Sequence, residues 1–246
     1  MKAEEIYTTG AYVRENPTWH VEDSVWKAEQ IMRVLDISPG TRPLRICDIG
    51  CGVGGVVAAL DDMLTARGVS AEFVGYDIAP VAIERAKALW HDRMQCVFEC
   101  RDVLTVDRLD YDLCLLIDIL EHIEDPAAFV RALHARGITE YVIHLPLESN
   151  WLSVLRGRTD PLSSKVGHLR FYGVNSALTL FEQAGLNVMK WVFTPELDLD
   201  IKLHRTPLSV LGYLPRKLLC CMSPRLAARA IGGLAMMAQC RFRCEA

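Results

Sequence analysis
The chain has 246 residues, enough for one sizeable α/β domain, since single α/β domains reach about 200–250 residues. Apolar residues make up 51% and charged residues 24%, which excludes a disordered chain. A formal net charge of −4 gives no general attraction to nucleic acid, and no broad basic groove is evident.

Residues 1–17 are polar and aromatic without a period. From Asp23 or Ser24 as cap, Ala28, Ile31, Met32 and Leu35 fall on one face, so an amphipathic helix is predicted to end near Ser38-Pro39-Gly40. The next stretch, Leu44 to Gly55 (LRICDIGCGVGG), runs apolar residues into an acid and a glycine cluster, and then into a helix from Val56 to Arg67. Strand, tight turn and helix follow in that order. Glycine permits a sharp turn and close approach to a ligand, because no Cβ intervenes and positive φ costs little. A nucleotide-sized cofactor is implied.

Strands and helices then alternate: strand Glu72–Tyr76, helix Pro80–His91, strand Cys96–Cys100, strand Tyr111–Ile117, helix Pro126–Arg136 and strand Tyr141–Leu145. This rhythm specifies parallel strands joined by right-handed crossovers, hence an α/β, doubly wound, Rossmann-like sheet. Ligands of such sheets bind beyond the carboxyl ends of the strands near the switch point. There Asp48, Asp77, Asp102 and Asp118 emerge, one acid from each of the first four strands. Gly50, Gly52 and Gly55 also satisfy GxGxxG, but a pyrophosphate fits poorly among four carboxylates unless cations offset them. A ligand carrying an ammonium and a sulfonium suits them, and S-adenosylmethionine has both.

The motifs DIGCGVGG, VGYDIAP at Val74 to Pro80, RDV at Arg101 to Val103, and LLIDILEHIEDP at Leu115 to Pro126 together resemble a class I SAM-dependent methyltransferase. The likeness is to the bacterial small-molecule branch that includes the ubiquinone-type O-methyltransferases. It implies a seven-stranded sheet, mostly parallel, whose last strand (Leu234–Phe242) inserts antiparallel after helix Asn175–Ala184 and strand Leu186–Phe193. A dinucleotide dehydrogenase would repeat its strand-helix half instead. One domain over 1–246 is expected, with a helical cap at 1–40 and a helical insertion at 201–233. Tyr12, Trp19, His20 and Trp26 either cover the cofactor or anchor the cap on the sheet.

For the cofactor, the resemblance implies that Gly50, Gly52 and Gly54 face the methionine part and ribose. Asp48 anchors the loop or, through water, the ammonium. Asp77 accepts from both ribose hydroxyls or caps the following helix, and Ile78 lies on the adenine face. Asp102 accepts from the adenine amino group while Val103 offers its backbone N–H, and Asp118 lies near the methyl group. His122 of the LEH run is read as structural or cofactor-side rather than as a base.

Methyl transfer from a sulfonium leaves the protein to position, desolvate and, for an alcohol or phenol, remove a proton. The candidate catalytic groups are His168 first, then Tyr172, and His144, for which a satisfied core histidine is an equal reading. Ser149 to Gly167 reads as a substrate lid, with Arg156, Arg158, Lys165 and Arg170 available to clamp an anion. The alternative function is a SAM-using enzyme that moves no methyl group, either a C–S lyase or a cyclase of the aminobutyryl arm. A nucleic-acid substrate is not expected, since Asp118-Ile119-Leu120-Glu121 stands where an NPPY-like tetrad would.

The excursion 201–233 is basic and apolar together. It either rests on a membrane surface, lines a pocket for an apolar or anionic substrate, or forms an ordinary helical cover. The nine cysteines show only CxxxC spacings (Cys47/Cys51, Cys96/Cys100, Cys240/Cys244) and lie mostly in apolar strands, so buried thiols in a reducing compartment are expected and no metal centre. With no secretory leader and no run of about 18 uncharged apolar residues, a cytoplasmic protein is expected.

Overall fold
The computed structural model describes residues 21–157, 159, 167–195 and 207–243. After a 3-10 turn at Val21–Asp23, helix α1 covers Ser24–Val34 and stops before the predicted end. Leu35 is already extended, its N–H closing the last turn on the Ile31 carbonyl, and Pro39 disfavours helix for the residue before it. The chain continues through β1 (Leu44–Ile49), α2 (Gly55–Ala66), β2 (Ala71–Asp77), α3 (Pro80–Leu89), β3 (Cys96–Cys100) and β4 (Leu113–Ile117). Next come α4 (Pro126–Ala135), β5 (Glu140–Pro146), α5 (Trp151–Leu155), α6 (Val174–Gln183), β6 (Leu186–Pro195), α7 (Pro207–Met222), α8 (Pro224–Ala230) and β7 (Leu234–Phe242).

The seven strands form one sheet in the order β3-β2-β1-β4-β5-β7-β6. All pairs from β3 to β5 are parallel, whereas β7 runs antiparallel to both β5 and β6, as the resemblance implied. Side chains of a strand alternate between faces, and β4 shows the consequence because it is buried on both. Leu113, Leu115 and Ile117 join a cluster with Ile31 of α1, Leu60 of α2 and Ile83 of α3. Cys114 and Leu116 join the opposite cluster with Val130 of α4, Phe181 of α6 and Ala227 of α8. The helices that follow β1 and β4 thus leave for opposite faces, which opens a crevice at the carboxyl ends of these two neighbouring strands.

The thiols among the described residues are free, and most are buried; Cys100 and Cys221 are exposed, so the expectation of a buried Cys100 does not hold. The register explains it, since β3 is the edge strand and its last residue stands past the core. Among the described residues no helix is long and apolar enough to cross a membrane. The excursion contains two helices, α7 and α8, with Pro215 inside the first. Tyr12, Trp19 and His20 of the proposed cap, and Arg158 and Lys165 of the proposed lid, lie outside the described residues.

Candidate active site
A cleft of about 990 Å³ occupies the predicted crevice, and its wall includes Asp48, Gly50, Gly52, Asp77, Ile78, Asp102, Val103 and Asp118. The glycine loop is held from below by β2: the Gly50 and Cys51 N–H groups donate to the Tyr76 carbonyl at 2.8 and 3.1 Å. Asp77 adds a side-chain tie, Oδ2 accepting from Gly52 N at 2.9 Å and Oδ1 from Ala79 N at 2.8 Å. One carboxylate therefore fixes both the loop and the turn at Ala79, the residue before α3; the helix itself has no side-chain cap, so the cap alternative for Asp77 does not hold. Burial pushes the Asp77 carboxyl up, against the donors at Ala79 and Gly52. Asp102 accepts from Leu104 N at 2.9 Å through Oδ1 and lines the cleft.

Gly54 is placed differently from the other glycines. It does not line the cleft but caps α2 with φ 76°, and an added Cβ would come 2.4 Å from the Phe98 ring. Only glycine meets both demands, the left-handed backbone and the close approach of Phe98.

Sequence reasoning missed Lys27. This α1 residue lines the cleft, its ammonium 3.0 Å from Asp23 and 2.9 Å from Asp118. Burial alone would lower its pKa, but the two carboxylates more than reverse this and hold it above the usual lysine range. The Asp23/Lys27 spacing of i,i+4 was a usable signal. The Asp118 contact was not, because it joins α1 to the end of β4. Asp118 has φ 53°, the one positive-φ residue other than glycine among the described residues. Aspartate tolerates this conformation better than most, and here both carboxylate oxygens are engaged. Oδ2 meets Lys27, and Oδ1 meets His144 Nδ1 at 2.6 Å. The charges of His144 and Lys27 overcome burial and hold the Asp118 carboxyl below the usual range.

The three candidate catalytic residues do not line this cleft. His144 is fully buried, with Nδ1 on Asp118 and Nε2 2.9 Å from Thr194 Oγ1, and Trp26 packs edge-on against its ring at 6.0 Å. Trp26 thus sits against the sheet, the anchoring alternative for that residue. Tyr172 is buried, its hydroxyl without a hydrogen-bond partner among the described residues and its pKa pushed up to about 12 by burial. His168 is the candidate with acid-base geometry: its Nδ1 lies 2.6 Å from Glu148 Oε2, and its ring is 4.8 Å from that of His122. His122 does line the cleft. Burial, with His168 beside it, pushes it down to about 4, so at neutral pH it is uncharged.

Residues 24–190 match a family model described as a methyltransferase domain. The chain is 30% identical over 129 residues to the ubiquinone biosynthesis O-methyltransferase of Neisseria meningitidis serogroup C (strain 053442), an alignment covering 46% of this chain and 52% of that protein. The chain spans about half the length of that relative. Its fold resembles the magnesium protoporphyrin IX methyltransferase of Synechocystis PCC 6803 with bound SAH (TM-score 0.55, 15% identity, 91% of this chain and 83% of that one). It also resembles the [4+2]-cyclase SpnF (TM-score 0.59, 14% identity, 90% and 82%).

Proposed function
Because this chain belongs to the methyltransferase-domain family, whose model spans residues 24–190, we propose that it transfers the methyl group of S-adenosylmethionine to a small-molecule acceptor at oxygen or nitrogen. The observation that carries this reading is the glycine loop tied to Asp77 at the carboxyl ends of β1 and β2, in a cleft walled by Asp48, Asp102 and Asp118. When bound, the cofactor supplies a methyl carbon already activated by a sulfonium. Asp77 receives the ribose hydroxyls on lone pairs left over by Gly52 and Ala79. Asp102 and Val103 take the adenine edge and Ile78 its face. Gly50 and Gly52 present backbone to the methionine part. Asp48 faces its positive groups and Asp118 lies near the methyl group, while the Lys27 ammonium, held on Asp23 and Asp118, suits its carboxylate.

Although it does not itself line the cleft, His168, whose ring lies 4.8 Å from that of the cleft-lining His122, is the proposed base. With Nδ1 bound to Glu148, it takes an acceptor proton on its other nitrogen and passes one on to the partly exposed Glu148 carboxylate. His144 has both ring nitrogens committed inside the sheet, so we assign it to holding Asp118 rather than to proton transfer. The cleft's volume lies at the upper end of the roughly 300–1,000 Å³ usual for ligand sites, which leaves room for a second substrate. That room favours transfer over a C–S lyase or a cyclisation of the cofactor's own arm. On α7, Leu214, Leu218 and Met222 are exposed at four-residue intervals, and this face is where the 201–233 segment would meet a membrane surface.

Calorimetric titration with S-adenosylmethionine and S-adenosylhomocysteine tests the reading. Both are expected to bind, with S-adenosylmethionine left intact until an acceptor is added. Absence of binding sinks the cofactor assignment. Turnover of S-adenosylmethionine alone to methylthioadenosine and a four-carbon product would favour the non-transferring alternative.

A pH dependence is also expected. Asp48 is 3% exposed, and burial, reinforced by Asp77 and opposed by Lys27, pushes its pKa from 3.8 up to about 7. Below about 4 the carboxyl is protonated in both folded and unfolded chains. Between there and about 7 the folded chain keeps a proton that the unfolded chain has lost. The contribution to stability therefore falls as pH rises through this window and is gone above it. A cationic ligand prefers the ionised form, so cofactor affinity should rise as pH climbs through about 7. In Asp48→Asn this rise should disappear; an unchanged pH profile in that variant would refute the assignment.

A further inference from the structure
The cofactor cleft opens at the carboxyl ends of β1 and β4. At the opposite end of the sheet lies a second depression, of about 660 Å³, whose wall includes Arg131 and His134 of α4, Glu140 at the start of β5, and Arg241, Phe242 and Arg243 at the end of β7 and just past it. The antiparallel register brings the two strands' contributions together, since Glu140 pairs with Arg241. Methyl transfer uses none of these groups, and none of them lines the cofactor cleft.

The charges there are unbalanced. Glu140 is the one acid among the described residues that line the depression, and Arg241 Nε donates to its Oε1, so that pair cancels. The other two guanidinium groups are oriented by neutral oxygens instead. Arg131 Nη1 donates to the Gln183 carbonyl at 2.8 Å, and Arg243 Nε to Asn187 Oδ1 at 3.1 Å. A neutral acceptor fixes an arginine without cancelling its charge, and each guanidinium keeps further N–H donors to offer. Arg42, Arg45 and Arg93 differ, because each meets an aspartate: Asp112, Asp110, and the Asp61/Asp62 pair.

The surroundings hold these groups in place. The His134 ring stacks on Phe242 with centroids 3.4 Å apart and planes 8° apart, and its Nδ1 lies 2.9 Å from the Ile138 carbonyl. Phe242 also packs on Gly185, where an added Cβ would come 2.9 Å from the ring, and the Gly185 carbonyl accepts from Arg243 N at 2.9 Å. Free carbonyls at the end of α4 would repel an anion. They are taken up: His134 O accepts from Gly137 N, Leu133 O from Arg136 N and Ile138 N, and Ala132 O from Arg136 Nη1. We propose that this depression binds the phosphate group of a small molecule, clamped between the Arg131 and Arg243 guanidinium groups with Arg241 as a further donor. Guanidinium forks match phosphate oxygens in pairs, and a tetrahedral phosphate can serve donors arriving from α4 and from β7 together, where a planar carboxylate serves one fork. Donors already fixed in place lower the ordering cost of binding.

The test titrates the full chain, in a phosphate-free buffer, with inorganic phosphate and separately with phenyl phosphate, followed by calorimetry and by phosphorus NMR line width. One saturable site per chain is expected, in the millimolar range or tighter. Arg131→Gln and Arg243→Gln should each weaken binding by about tenfold or more, the loss of a charge-assisted hydrogen bond. Glu140→Gln should strengthen it, because the carboxylate is removed and Arg241 is released; a merely structural ion pair predicts no such gain. Both Arg131 and Arg243 are exposed, so melting curves of their variants should match the parent, and if one fails to fold the other decides. Tighter binding of phenyl phosphate identifies a phosphate ester as the occupant, and equal or weaker binding the free anion; either result supports the phosphate site. Absence of saturable binding, or affinity unchanged in both arginine variants, overturns the proposal. So does displacement of the phosphate by S-adenosylhomocysteine, which would place it in the cofactor cleft.

Discussion
Lys27→Met is expected to cost about 3–5 kcal/mol of folding stability, the usual penalty for removing one partner of a buried ion pair. The ammonium bridges Asp23 and Asp118 at 3.0 and 2.9 Å, with only 14% of its side chain exposed. Methionine keeps the length and much of the packing of the stem, so the loss comes from charge rather than volume. What remains is a carboxylate at Asp118 in a left-handed backbone, with His144 alone to compensate. For a chain of this size each kcal/mol moves Tm by about 2–4 °C, so a fall of roughly 6–20 °C is expected in a thermal melt. Adding Asp118→Asn should recover part of the loss, because the uncompensated charge is then removed. A fall in stability below about 1 kcal/mol in the single variant would show that the pair is solvated rather than buried.

Asp77→Asn should weaken S-adenosylmethionine binding by about a hundredfold or more while leaving the fold intact. Hydrogen bonds to a charged acceptor contribute about 1.5–3 kcal/mol each, and two ribose hydroxyls are assigned to this carboxylate. The amide also turns one acceptor into a donor. Because Asp77 accepts from both Gly52 N and Ala79 N, the NH2 group of asparagine must face a backbone N–H, a ribose hydroxyl or both. The glycine loop retains its two bonds to the Tyr76 carbonyl, so the change should act on the ligand more than on the sheet. Calorimetry with S-adenosylhomocysteine reads the effect, with a melting curve as control. A Kd within about threefold of the parent would remove Asp77 from the ribose site and leave it only its role in fixing the loop and the turn at Ala79.

These two residues differ in how visible they are in the sequence. Asp77 ends a strand a fixed reach beyond a glycine turn, and both features are local: alternation marks the strand, and positive φ at Gly50 and Gly52 marks the turn. The parallel order of β1 to β5 was legible for the same reason, since each amphipathic helix has to return the chain to the same end of the sheet. The antiparallel β7 came only from family likeness. Lys27 was half visible through Asp23, one helical turn away, and the partner that draws it to the cleft was not.

Hydrophobic period and turn chemistry act over a few residues, and they suffice to specify the doubly wound sheet, the glycine loop and the emergence of Asp48, Asp77, Asp102 and Asp118 at one end of it. Only the tertiary contacts set where each histidine sits. The β4/β5 register pairs Ile117 with His144, which brings that ring under Asp118 and commits it to the core. The return of the chain after α5 sets His168 between Glu148, Glu121 and His122. Contacts of that kind depend on ångström-scale distances between elements far apart in the chain, and a titratable side chain acquires its role from the charges and burial that such distances impose.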